Sequence, residues 1–213
     1  MLINNYDEIQ ALTSENRLSL ENQNKIAILD EIISKNPHNV PALLKKSFIL
    51  FMSHMDCQAI KVLDSLLAHD PHCIDAYMWL AEFLLFHWAD SEQALIILHK
   101  AVLIDPLRAD IHYLMACAYE KQADMTHYVD SMHRAIELEP SWLNPYLSLI
   151  EYFINIGKNN EAEAEFHALK KQMQENFPVP EDEMSVYYEE LVTGRLMTPY
   201  MQERIKQLQK LMS

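Results

Sequence analysis

Apolar residues recur along this chain at helical spacing, and each apolar run closes on a polar residue followed by proline. The first clear run has an i, i+3, i+6, i+7 stripe formed by Ile26, Leu29, Ile32 and Ile33. Spacing of this kind predicts an amphipathic helix. Proline then stops the helix, because it lacks an N–H and its ring clashes with the preceding turn. The four closing prolines are Pro37, Pro71, Pro106 and Pro140.

These prolines stand 34, 35 and 34 residues apart, and a fixed period of this length indicates a repeat architecture. Each unit contains two helical runs separated by a short polar break. Aspartates in these breaks are predicted helix N-caps, whose carboxylates accept hydrogen bonds from the first backbone N–H groups. They are Asp56, Asp90 and Asp124, and Asp90 with Gln93 also fits a capping box. Each unit is therefore predicted to be a helix, a tight turn and a second helix.

Small and aromatic residues occupy fixed places within the units. One unit reads Ala76-Tyr-Met-Trp-Leu-Ala81 in its first helix and has Ala94, Ala101 and Pro106 in its second; the next has Ala116, Tyr119, Ala135 and Pro140. This pattern resembles the tetratricopeptide repeat. The resemblance implies an all-α, right-handed superhelical solenoid of about five antiparallel helix pairs, in which small residues let paired helices approach closely.

The period also predicts the domain organisation. A repeat domain is predicted over residues 1–178, with a degenerate first unit that includes a short amphipathic stretch at Tyr6, Ile9 and Leu12. Its clearest units are 38–71, 72–106, 107–140 and 141–174. A capping helix pair is predicted over 179–213, packed on the same domain to cover the last apolar face. Three places depart from the pattern: Lys46 at a core position, Tyr128 where alanine is expected, and an extra residue near Trp88.

Composition supports a helical fold and limits the classes of partner. Only 2 of the 213 residues are glycine, which favours helix over turns that need positive φ. The net charge of −14 repels phosphate backbones and anionic lipid, so neither nucleic acid nor a membrane is a predicted partner. The start of the chain lacks a signal-peptide pattern, and the 3 cysteines form an odd set. A reduced, cytoplasmic protein is predicted.

The sequence offers no convincing catalytic or metal centre. Its histidine and cysteine clusters, His54–Cys57 and His69–Cys73, belong to turns at opposite ends of the predicted repeats, whereas zinc needs three or four converging ligands. Cys117 would need a histidine base, and His112 lies on another side of the same helix. No phosphate-binding loop, HExxH or GxSxG motif occurs. No enzyme activity, cofactor or metal is predicted.

The resemblance implies a concave groove lined by the first helix of each unit. Carried over by offset from each proline, the partner-binding residues are Leu44, Phe48, Phe51, Met52, Met78, Trp79, Glu82, Phe86, Tyr113, Cys117, Glu120 and Glu151. The groove is expected to be apolar and aromatic in its N-terminal half and acidic toward Glu120 and Glu151. Its acidic residues exclude a clamp for acidic peptide tails. In the alternative interpretation, Phe48, Phe51, Met78 and Phe86 are core residues.

The predicted function is a protein-interaction scaffold that binds an apolar partner segment with some positive charge. Three alternatives stay open. One is a chaperone that holds an exported protein, as small acidic repeat proteins of bacterial secretion do. Another is a structural domain that forms a homodimer through the C-terminal stripe Met201–Met212, or through Tyr187 and Tyr188. The third is an enzyme, for which Cys117 is the nucleophile to test.

Overall fold

The computed structural model describes residues 18–176 and Lys210, and in this part of the chain every regular element is a helix. The predicted all-α class is confirmed. The helices are α1 Leu20–Lys35, α2 Val40–Met52, α3 Asp56–His69, α4 Ile74–Phe86, α5 Ser91–Ile104, α6 Ala109–Lys121, α7 Met125–Leu138, α8 Leu143–Asn155 and α9 Asn159–Asn176. The predicted capping pair and the stretch around Tyr6 lie outside the described residues, apart from Lys210, which is helical.

The helices divide between two compact units. The first unit contains α1 to α5 and the end of α6, Cys117–Ala123; the second contains the start of α6, Arg108–Ala116, and α7 to α9. In the first unit α2 packs on α3, α4 packs on α5, and α1 packs on α2. In the second unit α9 packs on α8, which also contacts α7. The short turns within each pair make the paired helices antiparallel neighbours.

Four helices end where the sequence predicts, just before a proline: α1, α3, α5 and α7. Each stops two residues before its proline, and the residue between them has ψ between 78° and 99° instead of a helical value. The physical cause is steric, because the proline ring disfavours helical backbone in the residue before it. The residues in this position are Asn36, Asp70, Asp105 and Glu139.

Two of the three predicted aspartate caps are confirmed and one is wrong. Asp90 accepts a hydrogen bond from the backbone N–H of Gln93 at 3.0 Å, and Asp124 accepts one from His127 at 3.2 Å. Asp56 is instead the first residue of α3, whose N-cap is Met55. Its carboxylate is buried and accepts a hydrogen bond from the Trp88 indole N–H at 3.4 Å. A long-range partner has replaced the local one.

The turn inside each hairpin places one residue in the left-handed region, two positions before the second helix begins. These residues are His54 (φ 56°), Ala89 (φ 54°), Ala123 (φ 58°) and Gly157 (φ 74°). Only glycine adopts this conformation without steric cost. Three of the four turns are therefore strained by the side chain they carry.

We expect Ala123→Gly to raise the free energy of unfolding by about 1 kcal/mol, because it removes a Cβ from a left-handed position. The matched change, Gly157→Ala, is expected to lower it by about the same amount. A Cβ built at Gly157 meets no atom within 4 Å, so the loss reports backbone strain and not a clash. Urea unfolding of the two variants measures both values. Destabilisation by Ala123→Gly would contradict the prediction.

The sequence departures at Lys46 and Tyr128 are both accommodated by specific partners. Lys46 on α2 forms a salt bridge with Asp30 on α1, with Nζ 2.5 Å from the carboxylate oxygen, so its charge stays paired at the edge of the core. Tyr128 is 3% exposed and packs edge-on against Tyr152 of α8, with ring centroids 5.4 Å apart. The second unit has thus repacked around a large side chain where other hairpins have alanine.

Candidate functional site

An exposed apolar surface lies on the first unit, where the first helices of two consecutive hairpins meet. We call it the α2–α4 surface; it comprises Lys45, Phe48 and Met52 of α2 with Trp79, Glu82 and Phe86 of α4. On each helix these residues follow one another at spacings of three and four, so they share a face. Phe48, Met52 and Phe86 are 40%, 60% and 58% exposed. All three belong to the sequence-predicted groove.

Aromatic contacts fix the shape of this surface. The Phe48 ring packs on the half-buried Trp79 indole, with centroids 5.0 Å apart and planes at 60°, an edge-to-face arrangement favoured by the ring quadrupoles. At the other end, the Lys121 ammonium lies 5.8 Å from the centroid of Phe86. Such a cation is attracted to the ring face and leaves most of the ring open to solvent. The surface is therefore partly preformed.

Two predicted groove residues lie beneath this surface. Phe51 is 4% exposed and stacks on Phe83 with centroids 4.1 Å apart, and Met78 is 7% exposed. Phe83 also stacks on His87 and meets Trp88 edge-on at 4.8 Å. Phe51 and Met78 therefore serve the core of the first unit, and contact area for a partner is available at Phe48, Met52 and Phe86. Leu44 is half-buried beside them.

Charges of both signs border the apolar residues. Glu82 is exposed on α4, between Trp79 and Phe86, and Asp75 is exposed one turn before Trp79. Lys45 is exposed on α2, one turn before Phe48. An alternation of apolar side chains and charges along one face suits a partner segment that carries both kinds of group.

The remaining predicted groove residues are distributed over both units. Cys117 is half-buried and Glu120 is exposed in the part of α6 that belongs to the first unit. In the second unit Tyr113 packs against Trp142, with centroids 4.7 Å apart, and Glu151 is exposed on α8. Tyr113 and Trp142 are both half-buried, so this pair offers less apolar area than the α2–α4 surface.

Two of the polar contacts that sequence reasoning missed join residues 32 positions apart. One is the Trp88–Asp56 hydrogen bond described above. The other joins His133 of α7 to Glu165 of α9, with Nε2 2.8 Å from the carboxylate oxygen. A separation close to the repeat length is the only sequence signal that could have indicated either pair.

Stability of the second unit is expected to fall with rising pH through His133. The hydrogen bond to Glu165 and its charge raise the pKa of His133 above the ordinary 6.5, against the effect of burial, with Asp130 and Glu137 adding smaller contributions of the same sign. Because this pKa is higher in the folded than in the unfolded chain, the contribution is complete below the ordinary value. It is lost as pH rises through the raised pKa.

The variant His133→Gln keeps a hydrogen-bond donor and removes the titration. We expect the stability difference between parent and variant to shrink between about pH 5.5 and about pH 8, by less than about 1 kcal/mol because solvent screens the partly exposed His133 ring. Urea midpoints across that range measure it. A difference that grows toward high pH would contradict the assignment.

The described residues contain neither a metal-binding cluster nor a helix suited to crossing a membrane. Among them, no three histidine, cysteine or carboxylate side chains are grouped so as to hold a metal ion. None of the helices described is both long enough and apolar enough to cross a membrane.

Comparisons with known proteins agree on the repeat. Residues 58–117 match the family model of the tetratricopeptide repeat. The chain matches no curated protein sequence. Its fold is similar to MamA (TM-score 0.62, 18% identity, covering 83% of this chain and 99% of that one). It is also similar to a thermophilic tetratricopeptide-repeat protein of Thermus thermophilus (0.56, 21%, 78% and 89%). A third similar structure is YrrB, described as a tetratricopeptide-repeat protein with an unusual peptide-binding site (0.55, 18%, 68% and 74%).

Proposed function

We propose that the chain is a cytoplasmic protein–protein interaction scaffold of the tetratricopeptide-repeat type, since residues 58–117 match the model of that repeat. The α2–α4 surface binds an apolar segment of a partner protein that also carries positive charge. The observation that carries this proposal is the exposure of Phe48, Met52 and Phe86 on adjacent helices, around the half-buried Trp79.

An apolar partner segment is expected because exposure of Phe48, Met52 and Phe86 to water is unfavourable. Large apolar side chains that cluster on a surface mark binding sites more often than isolated ones do. Aromatic residues and methionine are also enriched in the buried centres of protein interfaces. Methionine adapts its shape to a partner, so Met52 suits a contact with an irregular apolar segment.

Glu82 favours positive charge on the partner segment. This carboxylate is exposed between Trp79 and Phe86, and a segment that contacts both aromatic residues passes beside it. A lysine or arginine at that point of the partner would be attracted, and the net charge of −14 would speed its approach. The peptide-binding site described for YrrB supports a peptide segment as the occupant, at the level of the shared fold.

The test uses two double variants. Phe48→Ser with Phe86→Ser removes the surface anchors, and Ile96→Ser with Leu103→Ser removes two equally apolar, exposed side chains from α5. Partners are captured from the native cytosol with parent protein, and the recovered segment is titrated against all three proteins. We expect the first variant to bind at least about tenfold more weakly, a loss of about 1.4 kcal/mol. The control should bind like the parent.

Melting temperatures check that both double variants are folded. Equal loss of binding in the control variant, or none in the surface variant, would exclude the α2–α4 surface as the binding site. Glu82→Lys tests the charge separately: it should weaken binding most at low salt, where screening is least. Tighter binding by Glu82→Lys would show that the partner segment is not basic.

A further inference from the structure

A cavity of about 340 Å³ opens at one end of the α2–α3 hairpin, where α2 begins and α3 ends. Sites for small molecules typically have volumes of about 300–1,000 Å³, so this cavity lies at the lower end of that range. The residues that line it are His38, Val40, Leu43, Leu66, His69 and Asp70. None of them belongs to the α2–α4 surface, and the cavity is therefore a separate feature of the first unit.

The lining of the cavity is apolar on the inside and polar at the opening. Leu43 and Leu66 are buried, with exposures of 8% and 1%, whereas His38 and His69 are exposed. The two imidazole rings meet edge-on, with centroids 4.4 Å apart. Asp70 adds carboxylate oxygens that accept hydrogen bonds. A ligand suited to this cavity combines an apolar body with a polar group.

The repeat explains why the cavity occurs in this hairpin. The residue at the position of Leu43 is a tyrosine in two later hairpins, Tyr77 on α4 and Tyr146 on α8. Both tyrosines are buried, with exposures of 8% and 3%. In the α8–α9 hairpin the counterpart of Leu66 is again a leucine, Leu169, which is 2% exposed. The cavity beside Leu43 thus corresponds to space that a tyrosine ring occupies elsewhere in this chain.

The hydroxyl of such a ring also has a counterpart acceptor. The Tyr77 hydroxyl donates a hydrogen bond to the Pro71 carbonyl oxygen at 3.2 Å. Pro37 stands at the same place in the loop before α2, and the two loops make the same pair of backbone hydrogen bonds. In each, the residue before proline accepts two bonds: Asn36 from His38 and Asn39, and Asp70 from His72 and Cys73. The Pro37 carbonyl is therefore oriented like that of Pro71.

We propose that this cavity binds a para-substituted phenol, supplied either as a free small molecule or as a tyrosine side chain of another protein. The ring packs on Leu43 and Leu66, and its hydroxyl donates to the Pro37 carbonyl oxygen, as Tyr77 does to Pro71. The imidazole of His69 meets the ring at the opening of the cavity, an aromatic contact that favours an edge-to-face arrangement. This site does not depend on the proposed function of the α2–α4 surface.

Titration of the full-length protein with p-cresol tests the proposal. Saturable chemical-shift changes are expected at the Leu66 methyl groups in NMR spectra. Leu43→Tyr supplies the ring from within the chain, so it should weaken p-cresol binding at least about tenfold and raise the melting temperature. Leu43→Met is the matched control: it keeps the side-chain volume and should bind p-cresol like the parent.

Two further probes test the hydroxyl group and the source of the ligand. Toluene lacks the hydroxyl and should bind about threefold to tenfold more weakly than p-cresol, the net effect of one hydrogen bond. N-acetyl-tyrosinamide carries the same ring on a peptide backbone. Binding as tight as that of p-cresol would support a tyrosine side chain as the ligand, and binding of p-cresol alone would support a free phenol.

Four results would overturn the proposal. The first is the absence of saturable p-cresol binding to the parent protein. The second is unchanged binding in folded Leu43→Tyr, since the ligand would then lie elsewhere. The third is loss of folding in Leu43→Tyr, because the hairpin would then have no space for a tyrosine ring. The fourth is equal binding of toluene and p-cresol, which would show that the cavity does not recognise a hydroxyl group.

Discussion

Replacing Phe83 with alanine is expected to lower the free energy of unfolding by about 3–5 kcal/mol. The side chain is 2% exposed and joins helices α2 and α4 through its stack on Phe51. It also supports the Trp88 indole, which meets the ring edge-on and donates to the buried Asp56. Truncation would leave a cavity bordered by three aromatic rings, and these cannot close it without losing their own contacts.

Phe86→Ala is the matched control for Phe83→Ala. It removes the same side chain three residues later on the same helix, at 58% exposure. The free energy of unfolding is expected to change by less than about 1 kcal/mol, because the Phe86 ring is already largely exposed to water in the folded protein. Urea unfolding of both variants provides the comparison. Losses of equal size would show that Phe86 is buried in solution, and the proposed binding surface would lose its main anchor.

Replacing Ala94 with leucine is expected to destabilise the protein by about 1–3 kcal/mol. Ala94 lies on α5, which packs on α4, and is fully buried. The added atoms would force the two helices apart or push the leucine out of its preferred rotamers. The repeat pattern has a small residue at this position, and the variant tests whether close approach of the two helices requires it.

The control for Ala94→Leu is Ile96→Leu, two residues later on the same helix at a 46% exposed position. It keeps the side-chain volume and is expected to change stability by less than about 0.5 kcal/mol. Thermal or urea unfolding measures both. If Ala94→Leu were as stable as the parent, α4 and α5 would not be closely packed at this position, and the prediction would be wrong.

Tyr128 shows why such a substitution cannot be judged from the pattern alone. It stands at the same repeat position as Ala94, yet it is 3% exposed and well packed. Its ring meets Tyr152 edge-on, and that partner is supplied by a different hairpin. The repeat pattern shows that Tyr128 replaces an alanine. How its ring is accommodated depends on Tyr152, 24 positions away, and only the folded unit brings the two rings together.

The candidate site was predictable in part. The offsets that place Phe48, Met52 and Phe86 on the first helices come from the repeat, and these residues are exposed in the structure. The same offsets select Phe51 and Met78, which are buried. A helix face is some 100° wide, so side chains one position apart in the sequence can fall on either side of the boundary between core and surface. Only packing with neighbouring helices decides it.

The sequence by itself determined where the helices form and where four of them end before a proline, because both depend on interactions within a few residues. The 34-residue period could also be read from it directly. Steric exclusion before proline and capping by Asp90 and Asp124 are local in this sense. The tertiary structure alone decided which apolar residues remain exposed. It also decided that Asp56 accepts a hydrogen bond from Trp88 instead of capping α3, and that Lys46 forms a salt bridge with Asp30. Each of these depends on a side chain from another helix, and burial is a property of the assembled unit. No local pattern encodes it.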